Sequence, residues 1–280
     1  STDWISFAPG VGPALSLLVR AFTQPGDRII GQPPVYFPFF STVTNHGREL
    51  VYNQLKLENG TYTIDIEGLE KCLKVKPAMM FFCNPHNPGG MVWSSGVLRK
   101  LGDFCAANSI PLVPDEIHSD LVSSGSRHIP LPGLSTEIAA NTITTMSPSK
   151  TFNLAGLSTA YLVISDPRKR ARYEQVLDQV HVGGGNLFGY LAMQAAYTQG
   201  AEWLNQLMEY LSGNLDLLTS YTEAHIPSIR VMRPQATYLV WLDCSALGMK
   251  PAELKAFMIN EAGLGLNDGP MFGPGGECFQ

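Results

Sequence analysis

The segment Ser147-Pro-Ser-Lys150-Thr-Phe-Asn-Leu-Ala-Gly156 follows directly on a β-rich run and decides the interpretation of the fold. A lysine placed after a buried strand, between hydroxyl side chains, lies where open α/β sheets bind their ligands. There Lys150 could form an imine with an aldehyde cofactor, while Ser147 and Ser149 hydrogen-bond a phosphate. Taken alone, the segment is also compatible with an ordinary exposed loop lysine.

Short β-rich runs, separated by helix-like windows, extend from this segment over the first three-quarters of the chain. Several of them are continuously apolar, as strands buried on both faces are. The alternation predicts an α/β fold with a mostly parallel sheet covered by helices, the first of them over Val11–Phe22. The predicted strands are Trp4–Phe7, Arg28–Gly31, Glu49–Tyr52, Ala78–Cys83, Ile110–Pro114, Thr142–Met146 and Ala160–Ile164.

The pattern changes near residue 190, where long helical windows replace the alternation and an apolar stripe runs from Leu204 to Leu218. A helical connection of that length usually leaves one domain and enters another. We therefore predict a large domain at 1–195 and, at 196–280, a connecting helix with part of a smaller domain. In the second part we expect a strand at Tyr238–Leu242 and a helix at Pro251–Asn260.

Composition excludes several classes of protein. The 280 residues include 19 basic and 24 acidic side chains, a net charge of -5, with no basic run, so we expect neither a nucleic-acid nor a membrane partner. No apolar stretch reaches the roughly 18–20 residues of a membrane helix. The five cysteines are widely spaced, which predicts reduced thiols, no metal site and a cytoplasmic protein. Common dinucleotide, P-loop, zinc-protease and esterase motifs are also missing.

A carboxylate ends the apolar run that precedes Asp115. A pyridinium nitrogen facing Asp115 would stay protonated, because an opposite charge in a poorly hydrated site favours the charged form of both groups. Such a pair would make the ring an electron sink. Capping of a following helix is the alternative role for this side chain.

Three further segments suit the other parts of a phosphorylated aromatic ring. The run Asn84-Pro-His-Asn87-Pro-Gly-Gly90 turns the backbone after another buried strand, and the Asn87 amide suits a phenolic oxygen. The glycine-rich turn around Val11 and Gly12 opens a helix, whose free N–H groups bind phosphate without a charged side chain. Tyr36 follows a rigid Pro-Pro turn and could stack on the ring, although a core tyrosine is an equal alternative.

Taken together and in this order, these segments resemble the fold-type I pyridoxal-5′-phosphate (PLP) enzymes of the class I/II aminotransferase superfamily. Within it the chain is most similar to the MalY/PatB-like branch of cystathionine β-lyases, or cysteine-S-conjugate β-lyases. The resemblance spans essentially the whole chain. It implies a three-layer α/β/α large domain and part of a smaller α+β domain. The motifs that carry it lie at 32–36, 84–89, 115–120 and 147–157.

By this resemblance, Lys150 and Asp115 are the catalytic residues, the first as the imine-forming lysine and the second as partner of the ring nitrogen. The cofactor would be PLP, and the chain would begin inside the large domain and end before the family's substrate-carboxylate arginine. The other implied cofactor-binding residues are Val11, Gly12, Ser147 and Ser149 at the phosphate, Tyr36 on the ring face, and Asn87 and His118 at the ring oxygen.

The resemblance implies a carbon–sulfur β-lyase that converts cystathionine or cysteine S-conjugates to a thiol, pyruvate and ammonia, and that acts as a homodimer on a small amino acid. An aminotransferase using the same lysine and aspartate is the first alternative, and a catalytically inert PLP-binding regulatory protein is the second. The motif S-x-x-K also occurs in penicillin-recognising serine enzymes, but their K-T-G and S-D-N motifs are missing. One departure from the superfamily is Ser158, where aminotransferases commonly carry a phosphate-binding arginine.

Overall fold

A computed structural model describes residues 1–280 and has a central sheet of seven strands in the order β1-β9-β8-β7-β6-β2-β3. The pairs β2–β3, β2–β6, β6–β7 and β7–β8 are parallel, whereas β1–β9 and β8–β9 are antiparallel. The strands are β1 Ile5–Ala8, β2 Arg28–Gly31, β3 Glu49–Tyr52, β4 Lys56–Glu58, β5 Thr61–Thr63, β6 Met79–Cys83, β7 Leu112–Asp115, β8 Thr144–Met146, β9 Ala160–Val163, β10 Arg230–Met232 and β11 Trp241–Asp243.

Each strand of this sheet corresponds to one of the predicted β-rich runs, with boundaries that differ by at most two residues. The mostly parallel α/β fold is therefore confirmed. The helices are α1 Val11–Phe22, α2 Pro38–Thr44, α3 Ile66–Cys72, α4 Ser95–Ala107, α5 Thr136–Asn141, α6 Pro167–Gln179, α7 Leu187–Gln199, α8 Ala201–His225 and α9 Pro251–Asn260.

Two hydrophobic cores lie on the two faces of the sheet, and each joins the sheet to a layer of helices. The domain therefore has three layers, with the sheet in the middle. Alternate residues of β6 enter different cores, since Phe81 packs with side chains of α1, α2 and α6 and Phe82 with those of α3, α4 and α5. Both phenylalanines are almost fully buried, and burial of such a side chain contributes about 1.5–3 kcal/mol. This double burial explains why the strand is apolar without alternation.

The part of the chain after α8 contains the antiparallel pair β10–β11 and helix α9, which pack around a small third cluster of Cys244, Leu254 and Met258. Helix α9 occupies the predicted residues. The strand predicted at Tyr238–Leu242 was wrong at its start, because Thr237 has a left-handed backbone (φ 74°) and its hydroxyl oxygen accepts the Leu239 N–H at 3.0 Å. The division into 1–195 and 196–280 stays a prediction.

The hairpin of β4 and β5 was not expected from the sequence. Its strands are short, and β4 is exposed along its length, so neither an apolar run nor an alternation marks it. None of the helices is both long enough and apolar enough to cross a membrane.

Candidate active site

The carboxyl ends of three neighbouring strands bring Cys83, Asp115 and Thr145 to the same level of the sheet. Cys83 of β6 is in register with Asp115 of β7, and Asp115 with Thr145 of β8. The turns that leave β6 and β8 then carry Asn87 and Lys150. Parallel strands thus gather at one edge residues that are far apart in sequence.

A cavity of about 710 Å³ opens at this edge. It lies between the carboxyl ends of the strands, the start of α1 and the segment around Tyr238–Leu242. All of the site residues predicted from the sequence line it, and the structure leaves none of them elsewhere: Val11, Gly12, Tyr36, Asn87, Asp115, His118, Ser147, Ser149 and Lys150.

Asp115 is 4% exposed and has only neutral hydrogen-bond donors. The Ile117 N–H donates to its Oδ1 atom at 3.2 Å, and the Thr145 hydroxyl lies 3.4 Å from the same oxygen. Burial raises the pKa of Asp115 to about 7, and the opposing effects of these donors and of the Lys150 charge are smaller. No cationic side chain forms an ion pair with this carboxylate, so its charged form is poorly stabilised.

The loop after β8 is shaped by its own hydroxyl groups. Ser147 donates its proton to the Thr159 carbonyl at 2.8 Å and accepts the Ser149 N–H at 3.1 Å. The Thr151 hydroxyl donates to Asp120 at 3.0 Å, which ties the residue after Lys150 to the loop that carries His118. Lys150 and Ser149 are half-buried at the cavity, and the Ser149 hydroxyl keeps its donor free for a ligand.

Two buried polar atoms at the cavity have no partner within the chain: Oδ1 of Asn87 and Nδ1 of His118. The Asn87 backbone is fixed, because its N–H donates to the Cys83 sulfur at 3.3 Å and its carbonyl accepts the Tyr36 N–H at 3.0 Å. Burial, reinforced by the Lys150 charge, lowers the pKa of His118 to about 4. At neutral pH His118 is therefore uncharged and able to hydrogen-bond a ligand.

The start of α1 forms the opposite end of the cavity. Gly10 precedes the helix with φ 130°, a conformation that favours glycine, and no acidic residue lies in the first turn. Gly12 is exposed, and a Cβ atom built on it would meet nothing within 4 Å. Ser158 also lines the cavity, with a left-handed backbone (φ 47°). Backbone amides and a small hydroxyl, with no arginine, therefore face this end.

Sequence reasoning missed several residues of the cavity wall. Cys83 lines the cavity and could have been found only from the strand register, which also places Thr145 behind it beside Asp115. The segments 238–242 and 265–267, together with Phe272 and Gln280, reach the cavity from the last part of the chain. No group of three or more His, Cys, Asp or Glu side chains is arranged to hold a metal ion.

The family model for aminotransferase class I and II matches residues 2–274. The chain belongs to this family. Within the family it is 43% identical to the cystathionine β-lyase PatB of Bacillus subtilis over 98% of this chain and 71% of PatB. It is 32% identical to a cystathionine β-lyase of Corynebacterium glutamicum, over 96% of this chain and 70% of that protein. The family resemblance inferred from the motifs is thus confirmed.

Among solved structures of the family, the fold is similar to that of cystalysin from Treponema denticola, which contains a pyridoxal 5′-phosphate cofactor. The TM-score is 0.97 at 36% identity, with 100% of this chain and 71% of that chain covered. This similarity agrees with the sheet order and the three layers described above.

Proposed function

We propose that this family member is a PLP-dependent carbon–sulfur β-lyase that cleaves cystathionine or cysteine S-conjugates to a thiol, pyruvate and ammonia. The observation that carries the proposal is the convergence of Lys150 and the buried Asp115 on one cavity, in a chain 43% identical to PatB. The cystathionine β-lyase names of the relatives supply the substrate class.

The residues of the cavity fit PLP. Asp115 lacks a cationic partner, and a protonated ring nitrogen would supply one. The unpartnered Asn87 Oδ1 atom can accept the proton of the ring hydroxyl, and the His118 ring, with its unpartnered Nδ1 atom, can hydrogen-bond the same group. The open space at Gly12 leaves room for a phosphate against the free amides of α1.

In this assignment, Asn87, His118 and Asp115 would hold the ring, with Tyr36 against its face, while Val11, Gly12 and Ser149 would hold the phosphate. Ser147 could donate to the phosphate only by giving up its bond to Thr159, so we assign it to shaping the loop first. When bound, PLP supplies an electrophilic carbonyl and a cationic ring that withdraws electrons from the α-carbon of the amino acid.

Lys150 is the only lysine that lines the cavity, and in the proposal its amine removes the proton from the substrate's α-carbon. Asp115 keeps the proton on the ring nitrogen while this charge develops. The electron pair then leaves with the sulfur at the β-carbon, which departs as a thiolate. With one water consumed, the remaining three carbons end as pyruvate and the nitrogen as ammonia.

The proposal includes a small amino acid as substrate, a homodimer as the working assembly and the cytoplasm as the location. The cysteines are all free thiols, which is typical of proteins in a reducing compartment. The dimer rests on the family alone.

The test is to supply the purified protein with PLP and cystathionine and to measure pyruvate and free thiol together. Equal amounts of the two products support the lyase. One alternative is an aminotransferase, the activity after which the matching family is named. Such an enzyme would convert an added keto acid to a new amino acid without releasing thiol. A protein that binds PLP and yields neither product would be a binding protein without turnover.

A further inference from the structure

Strand β7 ends at Asp115, and the residue that follows it, Glu116, carries a second carboxylate. Asp115 lines the cavity, whereas Glu116 does not, and Glu116 is fully buried (0% exposed). The function proposed above uses Asp115 only. A fully buried carboxylate is costly unless hydrogen bonds compensate it, so the surroundings of Glu116 require an explanation.

Each oxygen of Glu116 is engaged by a neighbouring segment. Its Oε1 atom accepts the Asn84 side-chain amide at 3.2 Å and the Leu131 N–H at 3.1 Å. Its Oε2 atom pairs with His128 Nε2 at 3.0 Å. The carboxylate therefore joins the end of β6, the end of β7 and the loop at 128–131.

Asn84 links this cluster to the cavity. Its side-chain amide contacts both Glu116 and the Ile129 carbonyl, at 3.2 and 3.3 Å, and its backbone N–H donates to the Asp115 carbonyl at 3.0 Å. Asn84 is completely buried and is the first residue of the turn that carries Asn87. Asn84 thus ties the start of that turn to Asp115 through its backbone and to Glu116 through its side chain.

An aromatic ring held at its nitrogen by Asp115 and at its hydroxyl oxygen by Asn87 has a fixed separation between those atoms. The protein must therefore hold the two side chains at a matching separation, and small displacements are costly to binding and catalysis. Neither side chain is braced against the other directly. The bonds of Asn84 to Glu116 and to the Asp115 carbonyl are a connection that can set this separation.

We propose that Glu116 is a positioning residue that acts through Asn84 to set the spacing between Asp115 and Asn87, and so determines how well the site recognises the pyridine ring. This inference rests on the proposed function. It assigns Glu116 no contact with substrate or cofactor.

Two variants disrupt the cluster and one preserves it. Glu116→Ala removes the acceptor, and Asn84→Ala leaves the bonds of Glu116 to Leu131 and His128 in place, so this second variant should fold even if the first does not. Glu116→Gln can keep Oε1 for Asn84 and Leu131 and donate its amide to a neutral His128. The matched control is Asn141→Ala, which removes a comparable bond, from the Asn141 amide to the Ile110 carbonyl at 2.7 Å, beyond the other end of β7.

Affinity for PLP and affinity for inorganic phosphate, both measured on the cofactor-free protein by calorimetry, separate ring recognition from general loss of structure. We expect Glu116→Ala and Asn84→Ala each to weaken PLP binding about tenfold or more, with phosphate binding unchanged. Glu116→Gln and Asn141→Ala should stay within about threefold of the wild type for both ligands. The double variant should lose little more than either single one, because both break the same connection.

PLP binding of wild-type strength in Asn84→Ala would overturn the inference, as would equal losses of PLP and phosphate binding in any variant that disrupts the cluster. A loss in Glu116→Gln as large as in Glu116→Ala would assign the effect to the charge and would also overturn the positioning role. Failure of the wild-type protein to bind PLP overturns the proposed function and this inference with it.

Discussion

The end of the cavity at Asp115 and the end at the start of α1 differ in exposure and in the kind of group that they present. At the first end, Asp115, His118 and Asn87 are side chains at most 8% exposed. At the second, the exposed Gly12 and Ser158 leave backbone amides and a hydroxyl open to solvent. One end is dry and ionisable, and the other is accessible and without charge.

This difference suggests a division of labour in the proposed function. Buried ionisable groups interact strongly with charge that develops during a reaction, because little water screens them. Exposed amides at a helix start attract an anion without titrating, so they contribute affinity over a wide pH range. We therefore expect changes at the buried end to affect turnover and protonation, and changes at the open end to affect cofactor affinity.

The largest effect is expected from Lys150→Ala, which should lower lyase activity by more than about a thousandfold, since one side chain both bonds the cofactor and transfers the proton. Initial rates of pyruvate release measure this loss. Borohydride reduction and peptide mapping should find the pyridoxyl group on Lys150 in the wild type. Lys169→Ala, outside the cavity, should retain full activity, and an adduct on any other lysine would refute the assignment.

Asp115→Asn should stabilise the cofactor-free protein at pH 8. The pKa of Asp115 is about 7 in the folded protein against 3.8 ordinarily, so between these pH values the folded state binds more protons than the unfolded state. Ionised Asp115 therefore costs stability as the pH rises, on the order of 4 kcal/mol at pH 8 and about 1–2 kcal/mol at pH 5.

Denaturant titrations of both proteins at the two pH values measure this difference. Asparagine keeps the Oδ1 atom that accepts from Ile117 and Thr145, so the comparison isolates the charge. A stability difference that does not change with pH would show that Asp115 is adequately compensated, and the contrast between the two ends would lose its basis.

Gly12→Val should weaken PLP binding about tenfold by crowding the phosphate, with little effect on kcat once the site is saturated. The added Cβ atom meets no other part of the protein within 4 Å, apart from its own helix backbone and chain neighbours. Gly96→Val is a matched control, since Gly96 is also the second residue of a helix and also has open space around it. Equal PLP affinities of Gly12→Val and wild type would place the phosphate elsewhere.

Ser158→Arg should produce the smallest change, a several-fold tightening of PLP binding by one added positive charge at the open end. Salt should weaken this gain, because the position is exposed. Equilibrium dialysis at two salt concentrations tests both statements. A gain that is insensitive to salt would mean that the open end is less hydrated than its exposure indicates.

The sequence predicted the centre of the sheet well because β6 and β7 are buried along their whole length, and such strands remain recognisable as apolar runs. It predicted α9 for a local reason, since Pro251 stands at the first helical position. In the structure the Glu253 carboxylate also accepts the Lys250 N–H at the start of this helix. The β4–β5 hairpin escaped prediction because short exposed strands carry no comparable signal.

Part of the site could be predicted because its motifs follow strands directly, and the predicted residues do share one cavity, although their roles remain predictions. The row of Cys83, Asp115 and Thr145 could not be predicted, since strand register depends on pairing between distant segments. The hydrogen bond from the Ser147 hydroxyl to the Thr159 carbonyl also could not be predicted, because a sequence shows a hydroxyl group but not the acceptor to which it donates.

The row of Cys83, Asp115 and Thr145 also fixes the distances between groups at this edge of the sheet. Adjacent strands lie about 4.8 Å apart, so three neighbouring strand ends place their groups over about 10 Å, whatever the length of chain between them. Strand pairing, and not the connecting segments, fixes these intervals. Insertions or deletions in the crossovers that contain α4 and α5 should therefore leave the reactive groups at their spacing, and evolution can lengthen or reshape those connections without rebuilding the chemistry.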